Sequence, residues 1–138
     1  MAESPTTQVL VVDDDQCVRL MMKTVLEDAG YCVLEARDGI EAMALLRTSL
    51  LHLVVLLDWM MPQMSGEDVL QAVKDGPAVL RRHAYILVTA NTPTRSAHLL
   101  ELLAELAVPV MPKPFRLQQL LDTVEEHDRR ITTVRAVG

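Results

Sequence analysis

Five polar residues stand at points of the sequence where predicted strands end. They are Asp13 and Asp14 after the first strand, Asp58 after the third, Thr89 at the end of the fourth and Lys113 after the fifth. In an open parallel α/β sheet the carboxyl ends of the strands meet at one edge, and ligands bind there. The sequence therefore predicts that three carboxylates, a hydroxyl and an ammonium group converge at this edge.

The chemistry of such a cluster is restricted by its charge. Carboxylates that lie close together at low dielectric repel one another strongly, so the cluster needs a cation or bound protons. Oxygen ligands with room for water suit Mg²⁺, which proteins use in phosphoryl-transfer sites. A carboxylate can attack phosphorus to give an acyl phosphate, while Mg²⁺, a lysine and a hydroxyl stabilise the phosphoryl oxygens. The pattern therefore indicates phosphate chemistry at a magnesium site.

Strands and helices alternate along the chain and would position these residues. Apolar runs predict strands at 9–12, 33–36, 53–57, 85–88 and 108–111. Helical spacing predicts five helices, with Asp38 as an N-cap, a fourth helix from about Thr92 to Leu106 and a last helix from Phe115 to about His127. This alternation predicts a doubly wound, five-stranded parallel sheet with helices on both faces. Residues 128–138 are expected to form a loosely ordered tail.

Composition limits the class of protein. Half of the 138 residues are apolar, which is enough for one domain with a substantial core. The net charge is −6 and no Lys/Arg block is present, so direct binding to nucleic acid is not expected. Neither a signal peptide nor a membrane span is predicted, and the expected location is cytoplasmic. Cys17 and Cys32 lack metal-ligand spacing and are expected to be reduced thiols in the core or just below the surface.

Four motifs, taken in order, resemble those of the receiver domain of two-component response regulators, especially single-domain chemotaxis-type receivers. They are Val9-Leu-Val-Val-Asp-Asp-Asp15, Asp58-Trp-Met-Met-Pro-Gln-Met-Ser-Gly66, Val88-Thr-Ala90 and Lys113-Pro-Phe115. The resemblance covers residues 8–127. It implies a flavodoxin-like receiver fold with strand order 2-1-3-4-5 and five helices.

The resemblance also implies roles for residues around a metal. Asp58 would be the phosphoacceptor of a phosphoprotein that forms an aspartyl phosphate. Asp14, Asp58 and the carbonyl oxygen of Met60 would bind Mg²⁺, with Asp13 assisting through water.

The remaining implied roles concern the phosphoryl group and its source. Thr89 would hydrogen-bond the phosphoryl group and Lys113 would pair with it, with a cis peptide bond before Pro114. The donor would be a sensor histidine kinase or a histidine phosphotransfer protein, and a downstream protein would read the changed surface. Such a phosphorelay switch catalyses only its own phosphotransfer and autodephosphorylation, so a conventional enzyme is not expected.

One region departs from the family pattern and suggests a partner surface. Val110 stands three residues before Lys113, where many receivers carry an aromatic residue that changes rotamer. The fourth helix has an apolar arc wider than packing on a sheet requires. A partner or homodimer surface is therefore expected on this helix and the fifth strand, through Leu99, Leu102 and Leu106. Coverage of part of this arc by the last helix is the open alternative.

Simpler interpretations exist for individual residues. Asp13, Asp14 and Asp15 could cap the first helix instead of binding a metal. Met60, Met61 and Met64 could form a copper or partner site, but filling gaps in an aliphatic core is the favoured interpretation. The four histidines have no metal-ligand spacing and are expected to be exposed or half-buried.

Three other functions compete with a phosphorylated switch. A haloacid-dehalogenase-like phosphohydrolase would need a second aspartate where Met60 stands. A flavodoxin-like nucleotide binder would need a glycine-rich loop after the first strand, and none is present. A degenerate receiver that acts as a phosphorylation-independent scaffold is the remaining alternative, kept open by Val110.

Overall fold

The computed structural model describes residues 8–90 and 96–137 of the chain. Its strands are β1 (Gln8–Val12), β2 (Cys32–Ala36), β3 (Leu53–Asp58), β4 (Ala84–Thr89) and β5 (Val110–Pro112). All neighbouring strands are parallel, and the order is β2-β1-β3-β4-β5. The predicted fold class and strand order are confirmed.

The described residues contain six helices where five were predicted. They are α1 (Gln16–Asp28), α2 (Gly39–Thr48), α3 (Gly66–Asp75), α4 (Ala78–Arg81), α5 (Ala97–Glu105) and α6 (Leu117–Val137). The additional helix, α4, is a single turn that begins after Pro77, where the sequence indicated only a loop. The start predicted for the fourth helix, near Thr92, lies outside the described residues.

The last helix is longer than predicted. Its backbone continues past His127 to Val137, so residues 128–137, predicted as a loosely ordered tail, are helical. Neither glycine nor proline occurs between Leu117 and Val137, so nothing in the sequence forces an earlier end. The apolar spacing predicts where the helix stops packing on the sheet. The helix itself can continue beyond that point.

The core lies on both faces of the sheet. Every residue of β3 is buried, as expected for a parallel strand that helices cover on both sides. Alternate strand residues face opposite layers: Leu10 and Val55 pack with α2, α3 and α5, and Val9 and Val54 pack with α1 and α6.

Side-chain caps fix where the helices begin. The Asp15 carboxylate accepts hydrogen bonds from the backbone N–H groups of Cys17 and Val18, so Asp15 is the N-cap of α1. Asp38 caps α2 in the same way, as predicted. Since Asp15 caps α1, Asp13 and Asp14 are not needed for that role.

The predicted environment of the two cysteines is wrong. Cys17 and Cys32 are both free thiols, but both are exposed. Cys17 lies in the first turn of α1, and Cys32 begins β2, an edge strand of the sheet. The apolar residues around them in sequence face the core, while the cysteines themselves do not.

The prediction for the histidines is wrong at two of the four positions. His52 is half-buried and His98 exposed, as predicted, but His83 and His127 are buried. His83 accepts a hydrogen bond from the Leu53 N–H at 3.0 Å, and its other ring nitrogen lies 2.9 Å from the Leu46 carbonyl oxygen. These two bonds satisfy the ring and allow it to be buried.

The fourth predicted helix corresponds to α5. The prediction that its leucines form a partner surface is wrong in part. Leu99 and Leu102 are 0% and 1% exposed, and Leu106 is half-buried against the same core. The helix packs against α3, and Leu99 and Leu102 belong to the same core cluster as residues of the sheet, so the sheet and α3 cover the part of the arc that carries these two leucines. Among the described residues of α5 and β5, the large apolar side chains that are exposed are those of Leu100 and Val110.

Within residues 8–90 and 96–137, no helix has the length and apolar character needed to cross a membrane.

Candidate functional site

Three aspartates converge at the carboxyl edge of the sheet, as predicted. Asp58 is the last residue of β3, and Asp13 directly follows β1. Val12 and Leu57 are paired in the parallel ladder, so the two aspartates follow adjacent positions on neighbouring strands. Carboxylate oxygens of Asp13, Asp14 and Asp58 all lie within 4.8 Å of one another.

The three carboxylates differ in exposure. Asp13 and Asp58 are buried, at 2% and 8% exposure, whereas Asp14 is exposed. Two buried acids therefore form the floor of the site, and one exposed acid lies at its mouth. A ligand that approaches from solvent meets Asp14 and the partly accessible edge of Asp58.

Lys113 reaches into this cluster from the loop after β5. Its Nζ lies 2.9 Å from Oδ2 of Asp13 and 3.7 Å from Oδ1 of Asp58. The backbone N–H of Lys113 donates a hydrogen bond of 2.7 Å to the Thr89 carbonyl, which joins the loop to the end of β4. The peptide bond between Lys113 and Pro114 is cis, as the family resemblance implied.

Thr89 lies at the same edge and is buried, with 1% of its surface exposed. It is the residue after Val88, the ladder partner of Asp58, and so stands one position beyond Asp58 on the adjacent strand. The topology therefore brings all five residues that the sequence placed at strand ends to the same edge of the sheet.

The polar groups of Asp13 are all engaged. Its N–H donates to the Ala36 carbonyl at 3.2 Å, and its Oδ1 accepts from the Asp15 N–H at 2.9 Å. Its Oδ2 pairs with Lys113, and its carbonyl oxygen accepts a hydrogen bond of 2.6 Å from Nη1 of Arg19. These hydrogen bonds hold Asp13 in place, and its carboxylate orients the Lys113 ammonium group.

Arg19 was missed by the sequence reasoning. It lies on α1 between apolar residues, and nothing in the helical pattern separates it from an ordinary surface arginine. Only the fold reveals that its side chain, 14% exposed, turns toward the loop with the aspartates.

Burial and neighbouring charge make Asp58 a weaker acid than usual. Desolvation is the largest cause, and with the negative charge of Asp13 it raises the pKa of Asp58 from 3.8 to about 6. Lys113 and a hydrogen bond from the Met60 backbone act in the opposite direction, and Asp14 adds a further upward contribution. Lys113 therefore does not fully offset the effects of burial and of the neighbouring carboxylates on the pKa of Asp58.

Lys113 remains charged in this site. Burial lowers the pKa of its ammonium group, but the hydrogen bond to Asp13 and the charges of Asp58 and Asp13 raise it, and the net shift is upward. A cation with these partners is the group expected to contact an anionic ligand at the cluster.

The loop after β3 is held close to Asp58 by a glycine. Gly66 donates its N–H to the Trp59 carbonyl at 2.8 Å. A Cβ atom at Gly66 would lie 2.5 Å from the Asp58 carbonyl oxygen, too close for any side chain. The Gly66 position therefore requires glycine for the loop to pass so near the acidic site.

The methionines of this loop divide between core and surface. Met61 is buried and Met64 is half-buried against the core, which confirms the core interpretation for these two. It is wrong for Met60, whose side chain is 59% exposed. The role of the Met60 carbonyl as a metal ligand stays a prediction.

The donor set fits a hard divalent cation. The ligand atoms brought together are all carboxylate oxygens, the type that Mg²⁺ prefers. Three carboxylates lie near one ammonium group, that of Lys113, so the cluster has an excess of negative charge when its acids are ionised. A bound cation would remove that excess.

Comparison with known proteins gives one consistent result. The family model described as the response regulator receiver domain matches residues 9–125. The probable chemotaxis protein CheY of Rhizobium etli is 32% identical over 127 residues, which are 91% of this chain and 95% of that protein. The response regulator MprA of Mycobacterium sp. strain KMS is 37% identical over 114 residues. These are 83% of this chain but 47% of MprA, so the chain spans about half the length of that relative.

Solved structures agree with the sequence relatives. A CheY-like response regulator receiver domain protein of Methanospirillum hungatei superimposes with a TM-score of 0.80 at 32% identity, covering 92% of this chain and 98% of the other. The chemotaxis protein CheY4 of Vibrio cholerae gives a TM-score of 0.75 at 29% identity, covering 88% and 98% of the two chains.

Proposed function

The chain belongs to the family of response regulator receiver domains, and from this premise we propose that Asp58 is its phosphoacceptor. The observation that carries the proposal is the position of Asp58 at the end of β3. Its carboxylate lies within 4.8 Å of those of Asp13 and Asp14, and 3.7 Å from the Lys113 ammonium. A nucleophile beside a cation-binding cluster and a fixed ammonium group suits phosphoryl transfer.

Asp14 and Asp58, with the Met60 carbonyl, are proposed to hold Mg²⁺. Asp13 would act through water, which is consistent with the engagement of all its polar groups by neighbouring residues. The ion would neutralise the carboxylates and the oxygens of the incoming phosphoryl group. The protein contributes a fixed arrangement of ligands.

In the proposed reaction an oxygen of the Asp58 carboxylate attacks the phosphorus of a phosphohistidine. A P–O bond forms, the P–N bond breaks, and the imidazole leaves with a proton from solvent. Lys113 would pair with the transferred group and the Thr89 hydroxyl would donate a hydrogen bond to it. Water later hydrolyses the acyl phosphate, which releases inorganic phosphate and restores the Asp58 carboxylate. The domain would thus catalyse only its own phosphorylation and dephosphorylation.

The phosphoryl donor is proposed to be a sensor histidine kinase or a histidine phosphotransfer protein. The signal would pass to a downstream protein, or to a second copy of the chain, through a change at the face of α5 and β5. Lys113 follows β5 and bonds to the end of β4, so movement of its ammonium toward a phosphoryl group would act on this face. Two free cysteines suit a reducing compartment, which supports a cytoplasmic location.

Acyl-phosphate labelling tests the proposal. Incubation with acetyl phosphate and Mg²⁺ should add the mass of one phosphoryl group to the wild-type protein, and Asp58→Asn should abolish the gain. Asp122→Asn, which alters an exposed acid on α6, is the matched control and should be labelled normally. Undiminished labelling of Asp58→Asn would show that another residue is the acceptor.

A further inference from the structure

Arg19 links α1 to the loop that carries two of the acids. Its Nη1 donates a 2.6 Å hydrogen bond to the Asp13 carbonyl, and its Nε lies 3.4 Å from Oε1 of Glu35 on β2. With 14% of its side chain exposed, Arg19 is mostly removed from water. Arginine is rarely buried this far unless its planar group has fixed partners.

The bond to Asp13 has a direct consequence for Asp14. The Asp13 carbonyl and the Asp14 N–H belong to one planar peptide group. A hydrogen bond that fixes the Asp13 carbonyl oxygen therefore also fixes the orientation of the Asp14 backbone N–H. Asp14 itself is exposed. The N–H of Asp13 belongs to the preceding peptide group and donates to the Ala36 carbonyl, so the two peptide groups that flank Asp13 are each held by a hydrogen bond.

We propose that Arg19 is a positioning residue for the acidic site, holding the Asp13–Asp14 peptide plane so that the carboxylates present the arrangement that binds Mg²⁺. The inference rests on the proposed function, since it assigns Arg19 a part in building the same magnesium site. Arg19 makes no contact with the ion in this scheme. It acts through the backbone, as outer-shell partners act on metal ligands.

Electrostatics alone predicts the opposite effect. Removing a positive charge near a cation site should strengthen cation binding. Losing the hydrogen bond from Arg19 to the Asp13 carbonyl should weaken it, because the peptide plane is then less fixed. The sign of the change in Mg²⁺ affinity therefore separates the two explanations.

Lys23 provides the matched control. Its Nζ lies 3.5 Å from Oε2 of Glu35, the same carboxylate that Arg19 contacts. Lys23→Gln thus removes one positive charge from the same ion-pair cluster and leaves the Arg19 hydrogen bond to Asp13 in place.

The test is a Mg²⁺ titration of the full chain, followed by Trp59 fluorescence and by calorimetry. Arg19→Gln should raise the Kd about tenfold, while Lys23→Gln should leave it unchanged or slightly lower. Arg19→Lys keeps the charge but cannot hold Asp13 and Glu35 with a single ammonium. It should show a smaller loss, and it serves as the test variant if Arg19→Gln does not fold.

A second measurement needs no metal. The N–H groups of Asp13 and Asp15 are both hydrogen-bonded. Their amide hydrogen exchange in the metal-free protein should be faster in Arg19→Gln, while Val11 in the adjoining strand keeps its protection. A general loss of stability would instead raise exchange at all three.

The outcomes are distinguishable. If wild type binds Mg²⁺ and Arg19→Gln binds it equally well or more tightly, the positioning role is overturned and the proposed function stands. If wild type itself does not bind Mg²⁺, the metal site of the proposed function fails, and the inference about Arg19 fails with it.

Discussion

The ionised carboxylate of Asp58 is expected to destabilise the folded protein when no cation is bound. Burial and the charge of Asp13 raise the pKa of Asp58 from 3.8 to about 6, despite the favourable contribution of Lys113. The folded state therefore favours the protonated form more than the unfolded state does. Asp58→Asn replaces the carboxylate by a neutral group of similar shape, and the metal-free variant should be more stable than wild type at neutral pH.

The magnitude follows from the difference between folded and unfolded pKa values. A shift from 3.8 to about 6 corresponds to an upper limit of about 3 kcal/mol, at about 1.4 kcal/mol per pKa unit. Solvent at the mouth of the site screens part of this, so we expect a gain of about 1–2 kcal/mol in the free energy of unfolding. The melting temperature should rise by about 3–8 °C.

The pH dependence has a definite sign. In the folded state Asp58 binds its proton more tightly than in the unfolded state, so wild-type stability falls relative to the variant as pH rises from 3.8 to about 6. Above that window the difference between Asp58→Asn and wild type is complete. Below pH 3.8 it should disappear, because Asp58 is then protonated in both states.

Urea unfolding at several pH values between about 3 and 8, with EDTA present, measures this difference. Asp122→Asn, an exposed acid, should behave as wild type throughout. Adding Mg²⁺ should stabilise wild type and have little effect on Asp58→Asn. A variant that is less stable than wild type at pH 8, or a difference independent of pH, would refute the reasoning from burial and charge.

Three further substitutions test the loop beside the site, the N-cap of α1 and a buried histidine of the core. Gly66→Ala should lower stability by more than about 2 kcal/mol and abolish Mg²⁺ binding, because its Cβ would clash with the Asp58 carbonyl; urea unfolding and a Mg²⁺ titration measure both effects. Asp15→Ala should cost about 1 kcal/mol through the lost N-cap of α1, also by urea unfolding, and leave a folded protein. Burial lowers the pKa of His83 below 6.5, so it contributes stability that is lost as pH falls below that value. His83→Leu should flatten this acid-side loss in pH-dependent melting, and should lower stability at pH 8 because it leaves the Leu46 carbonyl unpaired.

The fold and the acidic edge could be predicted because periodicity and topology determine them. Apolar runs that end in a polar residue mark both a strand and its carboxyl end, so Asp58, Thr89 and Lys113 could be assigned to one edge without coordinates. The order of the strands came from the family resemblance, and the ladder pairings confirm it.

Contacts that depend on side-chain direction could not be predicted. The apolar arc of α5 suggested a free surface, but a helical wheel does not show which part of the arc neighbours cover. The sheet and α3 cover the part with Leu99 and Leu102, which are buried as a result. The hydrogen bond from Arg19 to Asp13 could not be predicted either. An arginine that points to solvent from the same turn of α1 would give the same spacing of apolar and polar residues.

The most direct test of the central claim locates the phosphoryl group on the chain. Borohydride reduces an aspartyl phosphate to homoserine, so peptide mass spectrometry of protein treated with acetyl phosphate, Mg²⁺ and borohydride identifies the modified residue. We predict homoserine at position 58, at none of the other aspartates, and only when Mg²⁺ is present. Homoserine at Asp13 or Asp14, or unmodified Asp58 in a protein that carries the added mass, would contradict the assignment.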